Sequence, residues 1–278
     1  HYRCVAPLGE GGMGMVYRAT DNLDRACAVK VLLPQVAAQQ SAVALFRREA
    51  RLAASINHPH SVFIYDFGEV PGGLLYLAME FIEGQTLSAL LRPPGRSDDE
   101  PGERLPLPRV LHITRQIAEV LDTAHRLGVV HRDLKPQNVM LTPRPSDRDF
   151  VKVVDFGIAR SLTPDSTYKT QVGAVLGTPA YMSPEQALGE SDLDPRSDLF
   201  SLGLLVYRML GGILPYGGTG LTPVQQIVQR AFLREPPPSL RSLRPDLPPA
   251  VEAAVMHALQ PDRALRTPSA AQFLAELP

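Results

Sequence analysis

The sequence predicts an α+β, bilobal protein: a small antiparallel β-sheet lobe with one main helix, then a larger, mainly helical lobe. Three observations carry this. The first thirty residues alternate and turn like a meander of short strands. A single helical period with a basic back follows at about 41–56. From Pro108 onward helical patterns dominate, and one of them is apolar nearly all round, as a buried core helix is. At 278 residues the chain suffices for one large domain or two lobes sharing an interface.

Taken in order, Tyr2 to Leu8, Gly14 to Ala19 and Ala26 to Leu32 read as strands, with Asp21-Asn22 in a turn between the second and third. In the helix from Ser41 to Ile56, Phe46, Glu49, Ala53 and Ile56 share one face, and Arg47, Arg48 and Arg51 lie off it. Glu49 therefore points at apolar neighbours, where it needs a cation. Lys30 is the candidate and a local arginine the alternative. Val62 to Phe67 and Leu74 to Met79 read as strands around the turn Pro71-Gly72-Gly73. Glu80 to Gly84 reads as a hinge, dividing the chain into lobes 1–79 and 85–278. Pro93 to Pro108 is a solvated loop whose Asp98-Asp99-Glu100 is better read as a charged tip than as a metal site.

Pro108 opens a long helix to about Leu127, with Val110, Ile113, Ile117, Leu121 and Ala124 on one face and Gly128 as its stop. Thr142 to Asp149 is a turn between two short strands. Arg196-Ser197-Asp198 opens the all-apolar helix, with Asp198 placed to cap it. Residues 222–233, 248–259 and 268–277 read as further helices. Pro249 and Pro268 stand at their first positions, the second after an N-cap Thr267.

Composition bounds the function. A net charge of −1 gives no field that would gather nucleic acid or anionic lipid, so neither is expected as a partner of this domain. The two cysteines, Cys4 and Cys27, fall on the first and third strands. They are then roughly 9–10 Å apart, too far for a disulfide. A reduced, cytoplasmic compartment follows as the expectation. The longest dense apolar run, Leu199 to Leu210, is far short of the ~20 residues that span a bilayer. The chain opens on His1 rather than Met, as a domain cut from a longer protein with room for a membrane anchor would. Of 28 basic residues only Lys30, Lys135, Lys152 and Lys169 are lysine. A chain so biased to arginine keeps lysine where a point-like ammonium is needed.

The chemistry gathers in His131-Arg132-Asp133-Leu134-Lys135-Pro136-Gln137-Asn138. Pro136 forbids a continuing helix, so the acid, the base and the amide sit on one loop. A carboxylate that takes a proton, an ammonium that meets an anion and an amide oxygen that binds a hard cation suggest phosphate chemistry. Seventeen residues after Asn138, Asp155-Phe156-Gly157 ends the apolar run from Val151 and puts a second carboxylate at a strand tip. Gly9-Glu10-Gly11-Gly12-Met13-Gly14 is a G-x-G-x-x-G, alone a weak signal that also opens dinucleotide-binding units. Here it leads into the strand-like Met15-Val16-Tyr17-Arg18-Ala19, which favours a hairpin covering phosphates. Ala28-Val29-Lys30-Val31 follows, a lysine in an apolar strand that must reach solvent or an anion.

In that order these pieces resemble the protein-kinase signature set: the glycine-rich loop, V-A-I-K, H-R-D-L-x-x-x-N and D-F-G. The likeness covers nearly the whole chain. Gly-Glu-Gly-Gly-Met-Gly and Met-Ser-Pro-Glu-Gln-Ala at 182–187 resemble the bacterial, eukaryotic-like serine/threonine kinases, and Lys135 two residues after Asp133 resembles that class rather than the tyrosine class. Ser183-Pro184-Glu185 stands where the family pattern reads A-P-E, a mild departure, with Glu185 expected to pair with Arg266. The resemblance implies the bilobal protein-kinase fold and ATP- and Mg²⁺-dependent phosphorylation of protein Ser/Thr hydroxyls, with Mn²⁺ as a substitute cation. It implies Asp133, Lys135, Lys30 and Glu49 as catalytic residues and Asn138 and Asp155 as metal ligands. For the nucleotide it implies Leu8, Gly9, Gly11, Gly14, Val16, Ala28, Lys30, Met79 as gatekeeper, Glu80, Ile82 and Met140. Asp198 would brace the backbone of the His131 loop.

The hydroxyl-rich stretch from Asp155 to Glu185 is similar to an activation segment. Arg132 would meet a phosphate on Thr170, with Thr167, Ser166 and Thr163 behind it, and Thr178 would lie beside the catalytic loop. A homodimer for trans-autophosphorylation is a partner that the family allows. Two rivals differ in class. A pseudokinase would lack one of Lys30, Asp133, Asn138 or Asp155, and a small-molecule phosphotransferase has no need of the 178–185 docking stretch.

Overall fold

The computed structural model describes residues 2–11, 14–32, 40–70, 73–92, 101–156, 179–215 and 236–278. The segment 98–100, the turn Pro71-Gly72 and the expected helix at 222–233 lie outside them. Strands β1 (Arg3–Gly11), β2 (Gly14–Thr20) and β3 (Ala26–Leu32) form the expected meander. After helix α1 (Gln40–Ala54) come β4 (Ile64–Val70) and β5 (Leu74–Glu80). The five strands make one antiparallel sheet in the order β1-β2-β3-β5-β4.

Side chains two apart share a sheet face, so the register sorts the lobe. One face carries Ala28, Leu32, Leu75, Leu77 and Met79, which join Phe46, Ala50 and Ala53 of α1 in the main core. The other gathers Ala19, Cys27, Val29 and Ala78 in a small separate cluster. Lys30 stands opposite Val16 on one side and Leu77 on the other, so it emerges on the face that meets α1. Cys4 faces Ala19, which faces Cys27 one strand further on, and both thiols are free.

The second lobe opens with β6 (Gln85–Thr86) and the short helix α2 (Leu87–Leu91). Helix α3 (Leu107–Arg126) buries Val110, Ile113, Ile117, Leu121 and Ala124, the predicted stripe. It stops where exposed Gly128 takes a left-handed φ of 74°, which a side chain would resist. Strands β7 (Val139–Arg144) and β8 (Asp147–Val153) complete a small sheet with β6. They run closer together than predicted, so the turn is only Pro145-Ser146. The short α4 (Pro184–Ala187) precedes α5 (Pro195–Gly211), which is buried continuously from Ser197 to Gly211. Helices α6 (Leu240–Leu243), α7 (Pro249–Ala258) and α8 (Ala270–Glu276) close the lobe.

Two caps differ from expectation. Asp194, not Asp198, caps α5, accepting from the Arg196 N–H at 2.8 Å, because the helix begins a residue before Arg196 and Asp198 already lies inside its first turn. Ser269, not Thr267, caps α8, accepting from Gln272 N at 3.1 Å, while Thr267 is buried one residue ahead of Pro268. Among the described residues no helix is long and apolar enough to cross a membrane.

Candidate active site

The seam between the lobes brings the sequence-predicted residues together. Lys30 reaches across it, and its Nζ donates to Asp155 Oδ1 at 2.7 Å. Burial alone would raise the Asp155 carboxyl. The Lys30 ammonium, by charge and hydrogen bond, with His131 and Lys135 further off, holds it below the ordinary carboxylate range instead. Glu49 was the expected partner of Lys30, but makes no ion pair among the described residues. Both carboxylates are half-buried, and the one that the seam brings within reach of the Lys30 ammonium is Asp155, between the core residues Val154 and Phe156. The helix face is otherwise as predicted, with Phe46, Ala53 and Ile56 buried and Arg47, Arg48 and Arg51 exposed.

The loop before β7 is drawn into a tight cluster. Lys135 Nζ donates to Asp133 Oδ2 at 2.8 Å. The Asn138 amide NH₂ donates to the Asp133 backbone carbonyl at 2.8 Å and to Asp133 Oδ2 at 3.1 Å. Its nitrogen is thereby committed, and its oxygen is the atom left to meet a cation. The Asn138 backbone carbonyl in turn accepts from Val154 N at 3.0 Å, which ties this loop to the segment carrying Asp155. An amide oxygen and a carboxylate held near each other are the donor set of a hard divalent cation, so Asn138 and Asp155 fit Mg²⁺. Among the described residues there is no cluster of three or more His, Cys, Asp or Glu side chains that would hold a metal unaided.

Two non-glycine residues of the seam, Arg132 (φ 62°) and Asp155 (φ 60°), adopt left-handed backbone conformations. Each costs on the order of 1–3 kcal/mol and persists only where its surroundings over-determine it. Asp198 supplies part of that grip. Its Oδ2 accepts from His131 N at 2.7 Å and His125 Nε2 at 2.8 Å, and its Oδ1 accepts from Arg132 N at 2.8 Å. Burial would raise this carboxyl, but the His125 contact and the backbone N–H bonds hold it below its ordinary value. His131, fully buried, donates from Nε2 to the Val154 carbonyl at 3.0 Å and packs against Phe156 with ring centres 4.7 Å apart and the planes tilted by 50°. The His131 loop and the Asp155 strand end are thus one unit.

Sequence reasoning missed the back of the hinge. Lys152 of β8 is 7% exposed, and its Nζ donates to Glu80 Oε2 at 2.7 Å and to the Ser61 carbonyl at 3.0 Å. Beside it Val153 N donates to His60 O at 2.8 Å and Val62 N to Val153 O at 3.0 Å. The loop after α1 is therefore stitched to the strand that leads into Asp155. The scarcity of lysine was the available signal, since Lys152 is one of four.

Of the residues expected at a nucleotide, Ala28 stands opposite Met79, and Val16 and Ile82 pack partly buried against the main core. Met140 is half-buried on β7 opposite Thr86, and Leu8 is exposed. A Cβ at Gly14 would sit 2.1 Å from the Val31 carbonyl, so strand packing demands that glycine. One at Gly9 would meet nothing within 4 Å, so open space lies over its backbone. Gly11 ends β1 opposite Gly14. Thr163, Thr167, Thr170 and Thr178 lie outside the described residues. Just beyond them, Glu185 meets Arg266 as expected, in a buried two-pronged bridge of 2.7 and 3.1 Å.

A five-stranded sheet lobe over a helical lobe, with a strand lysine and two loop carboxylates at the seam, is the layout of a protein kinase. A model of the protein kinase domain matches residues 2–275, and the chain belongs to that family. It is 43% identical to the serine/threonine-protein kinase Pkn3 of Myxococcus xanthus, over 99% of this chain and 49% of that one. It is 38% identical to the serine/threonine-protein kinase PknA of Mycobacterium tuberculosis, over 98% of this chain and 59% of that one. The chain thus spans about half the length of the curated relatives it matches. Among solved structures, the PknI kinase domain of M. tuberculosis has a TM-score of 0.72 at 30% identity, covering 99% of this chain and 94% of that one. The class is a protein kinase domain, similar in sequence to those of bacterial serine/threonine-protein kinases.

Proposed function

We propose that this domain transfers the γ-phosphoryl group of ATP, with Mg²⁺, to serine and threonine hydroxyls of proteins. The convergence of Lys30 on Asp155 beside the Asp133, Lys135 and Asn138 cluster is the observation that carries this. Phosphoryl transfer needs positioning and charge neutralisation more than covalent chemistry from the protein. The glycine hairpin, through Gly9, Gly11 and Gly14, covers the phosphates. Leu8, Val16, Ala28, Met79 and Met140 line the adenine, and the backbone of Glu80 and Ile82, in a hinge at 80–84, meets its edge. Asn138 and Asp155 hold Mg²⁺, which when bound neutralises phosphate oxygens. Lys30 orients the α- and β-phosphates, with Glu49 as its alternative partner once Asp155 serves the metal.

The substrate hydroxyl oxygen attacks the γ-phosphorus as the bond to the bridging oxygen of ADP breaks, and the hydroxyl proton passes to the Asp133 carboxylate. Lys135 offsets charge on the moving group. A phosphate on Thr170, or on Thr167 or Thr163 behind it, adds about −1.5 to −2 charges. Arg132 receives it, which orders the segment and sets Thr178 beside Asp133. Autophosphorylation between two copies supplies it, in the cytoplasm.

Lys30→Met tests this reading. Methionine keeps the stem length and removes the charge, so transfer should fall by about 10² or more while far-ultraviolet circular dichroism is kept. Mass spectrometry should find phosphate within residues 161–170 of the wild type and none in the variant. Near-normal turnover by Lys30→Met, or an active wild type with an unmodified loop, would count against it.

A further inference from the structure

Gln186 lies outside every role assigned above, yet both ends of its side-chain amide are committed. It is 8% exposed. Its Oε1 accepts from Ser183 N at 3.1 Å and from Ser183 Oγ at 3.3 Å, while Ser183 Oγ accepts from Gln186 N: a capping box that starts α4. With the oxygen so fixed, Nε2 must point the other way, and it donates to the Arg132 backbone carbonyl at 2.7 Å. That carbonyl belongs to the peptide unit whose nitrogen is that of Asp133, so orienting it orients the backbone entering Asp133. Arg132 is also the residue with φ 62°. Asp198 from α5 grips its N–H, and Gln186 from α4 grips its C=O. A small crevice lined by Arg132, Asp133, Tyr181, Met182 and Gln186 marks where the two segments face each other.

We propose that Gln186 is a positioning residue: it holds the Arg132–Asp133 peptide in the left-handed turn that presents the Asp133 carboxylate. It thereby couples the placement of the 181–187 segment to turnover. The proposal rests on Asp133 being the base, and the test separates the two.

Gln186→Glu is the informative variant. Glutamate keeps an oxygen for Ser183, being the usual partner in such a box, but turns a second oxygen on the Arg132 carbonyl. It should lower kcat about tenfold or more, as small misplacements of reacting groups do, and leave KM for ATP within about twofold. Its melting temperature should stay near that of the wild type. Ser183→Ala should do the reverse, lowering the melting temperature and keeping kcat. Amide hydrogen exchange at 132–134, read without nucleotide, should quicken in Gln186→Glu only. Unchanged kcat in Gln186→Glu, or unchanged exchange there, overturns the proposal. An inactive wild type would fail the reading of Asp133 instead, and the exchange comparison would still decide the tether.

Discussion

Asp133→Asn is expected to lower turnover by about 10² or more while keeping affinity for Mg²⁺-ATP within a few-fold. Asparagine matches the aspartate in shape and keeps an oxygen for Lys135 Nζ and Asn138 Nδ2, which meet Asp133 Oδ2 at 2.8 and 3.1 Å. What it loses is the capacity to take the hydroxyl proton. Asp155→Asn should behave differently. It removes the charge of a carboxylate proposed to hold the metal and leaves Lys30 a neutral acceptor where it had a 2.7 Å ion pair, so metal-dependent nucleotide binding itself should weaken. Nucleotide titrations with and without Mg²⁺, set beside turnover, separate the two. Equal behaviour of the variants would contradict the separate roles given to these carboxylates.

Arg266→Ala should be the most destabilising single substitution in the helical lobe. Glu185 is 4% exposed and Arg266 2% exposed. Removing the guanidinium strips two of the three hydrogen bonds of a buried carboxylate, leaving it the Ser197 hydroxyl, and takes the Arg266 donors from the Arg196, Gln260 and Pro261 carbonyls. Breaking one side of a buried pair costs about 3–5 kcal/mol, a large part of what a domain has. Replacing both residues with apolar side chains should recover most of that loss, because the desolvation cost disappears with the charges.

The same bridge sets an acid limit. Burial pushes the Glu185 carboxyl up, but the Arg266 hydrogen bonds and charge and the Ser197 hydroxyl hold it below its ordinary value. A folded-state value below the unfolded one contributes stability above about pH 4.5 and loses it as pH falls through the folded value. Thermal melts should therefore show stability flat near neutrality and falling in acid, with a shallower fall in Glu185→Gln. A melting temperature that rose below about pH 4.5 would contradict this.

What the sequence revealed and what it hid divide by range. Asp133, Lys135 and Asn138 stand within six residues on a loop that Pro136 keeps out of a helix, so their convergence is a local matter. The strands and the stripe of α3 follow from periods of two and 3.6, which need no partner to be seen. Pairings across the seam are another matter. Lys30 and Asp155 are 125 residues apart, and Lys152 and Glu80 are 72 apart. Which anion a strand lysine meets depends on how the lobes dock, and composition shows only that it needs one. Asp155 and Glu49 are both half-buried, so burial alone does not choose between them, and Lys30 meets Asp155 because that is the carboxylate the docked seam brings to it. Asp198 was foreseen as a brace only by resemblance, while its bond to His125 gave no signal, since a histidine on a helix is as readily a core residue. Ser183 shows the opposite case. Its departure from the family's alanine is a helix cap that the structure reveals, although the local signal, Gln186 three residues on, stood unread in the sequence.

The central claim is that protein serine and threonine hydroxyls receive the phosphoryl group and that Asp133 takes their proton. Incubation of the purified domain with γ-labelled ATP, Mg²⁺ and a generic basic protein tests it most directly, with phosphoamino acids resolved after hydrolysis. Label should appear on serine and threonine, vanish when Mg²⁺ is chelated, and fall to background in Asp133→Asn. Label that stays in small molecules, or that reaches protein equally well without the Asp133 carboxylate, would contradict the account.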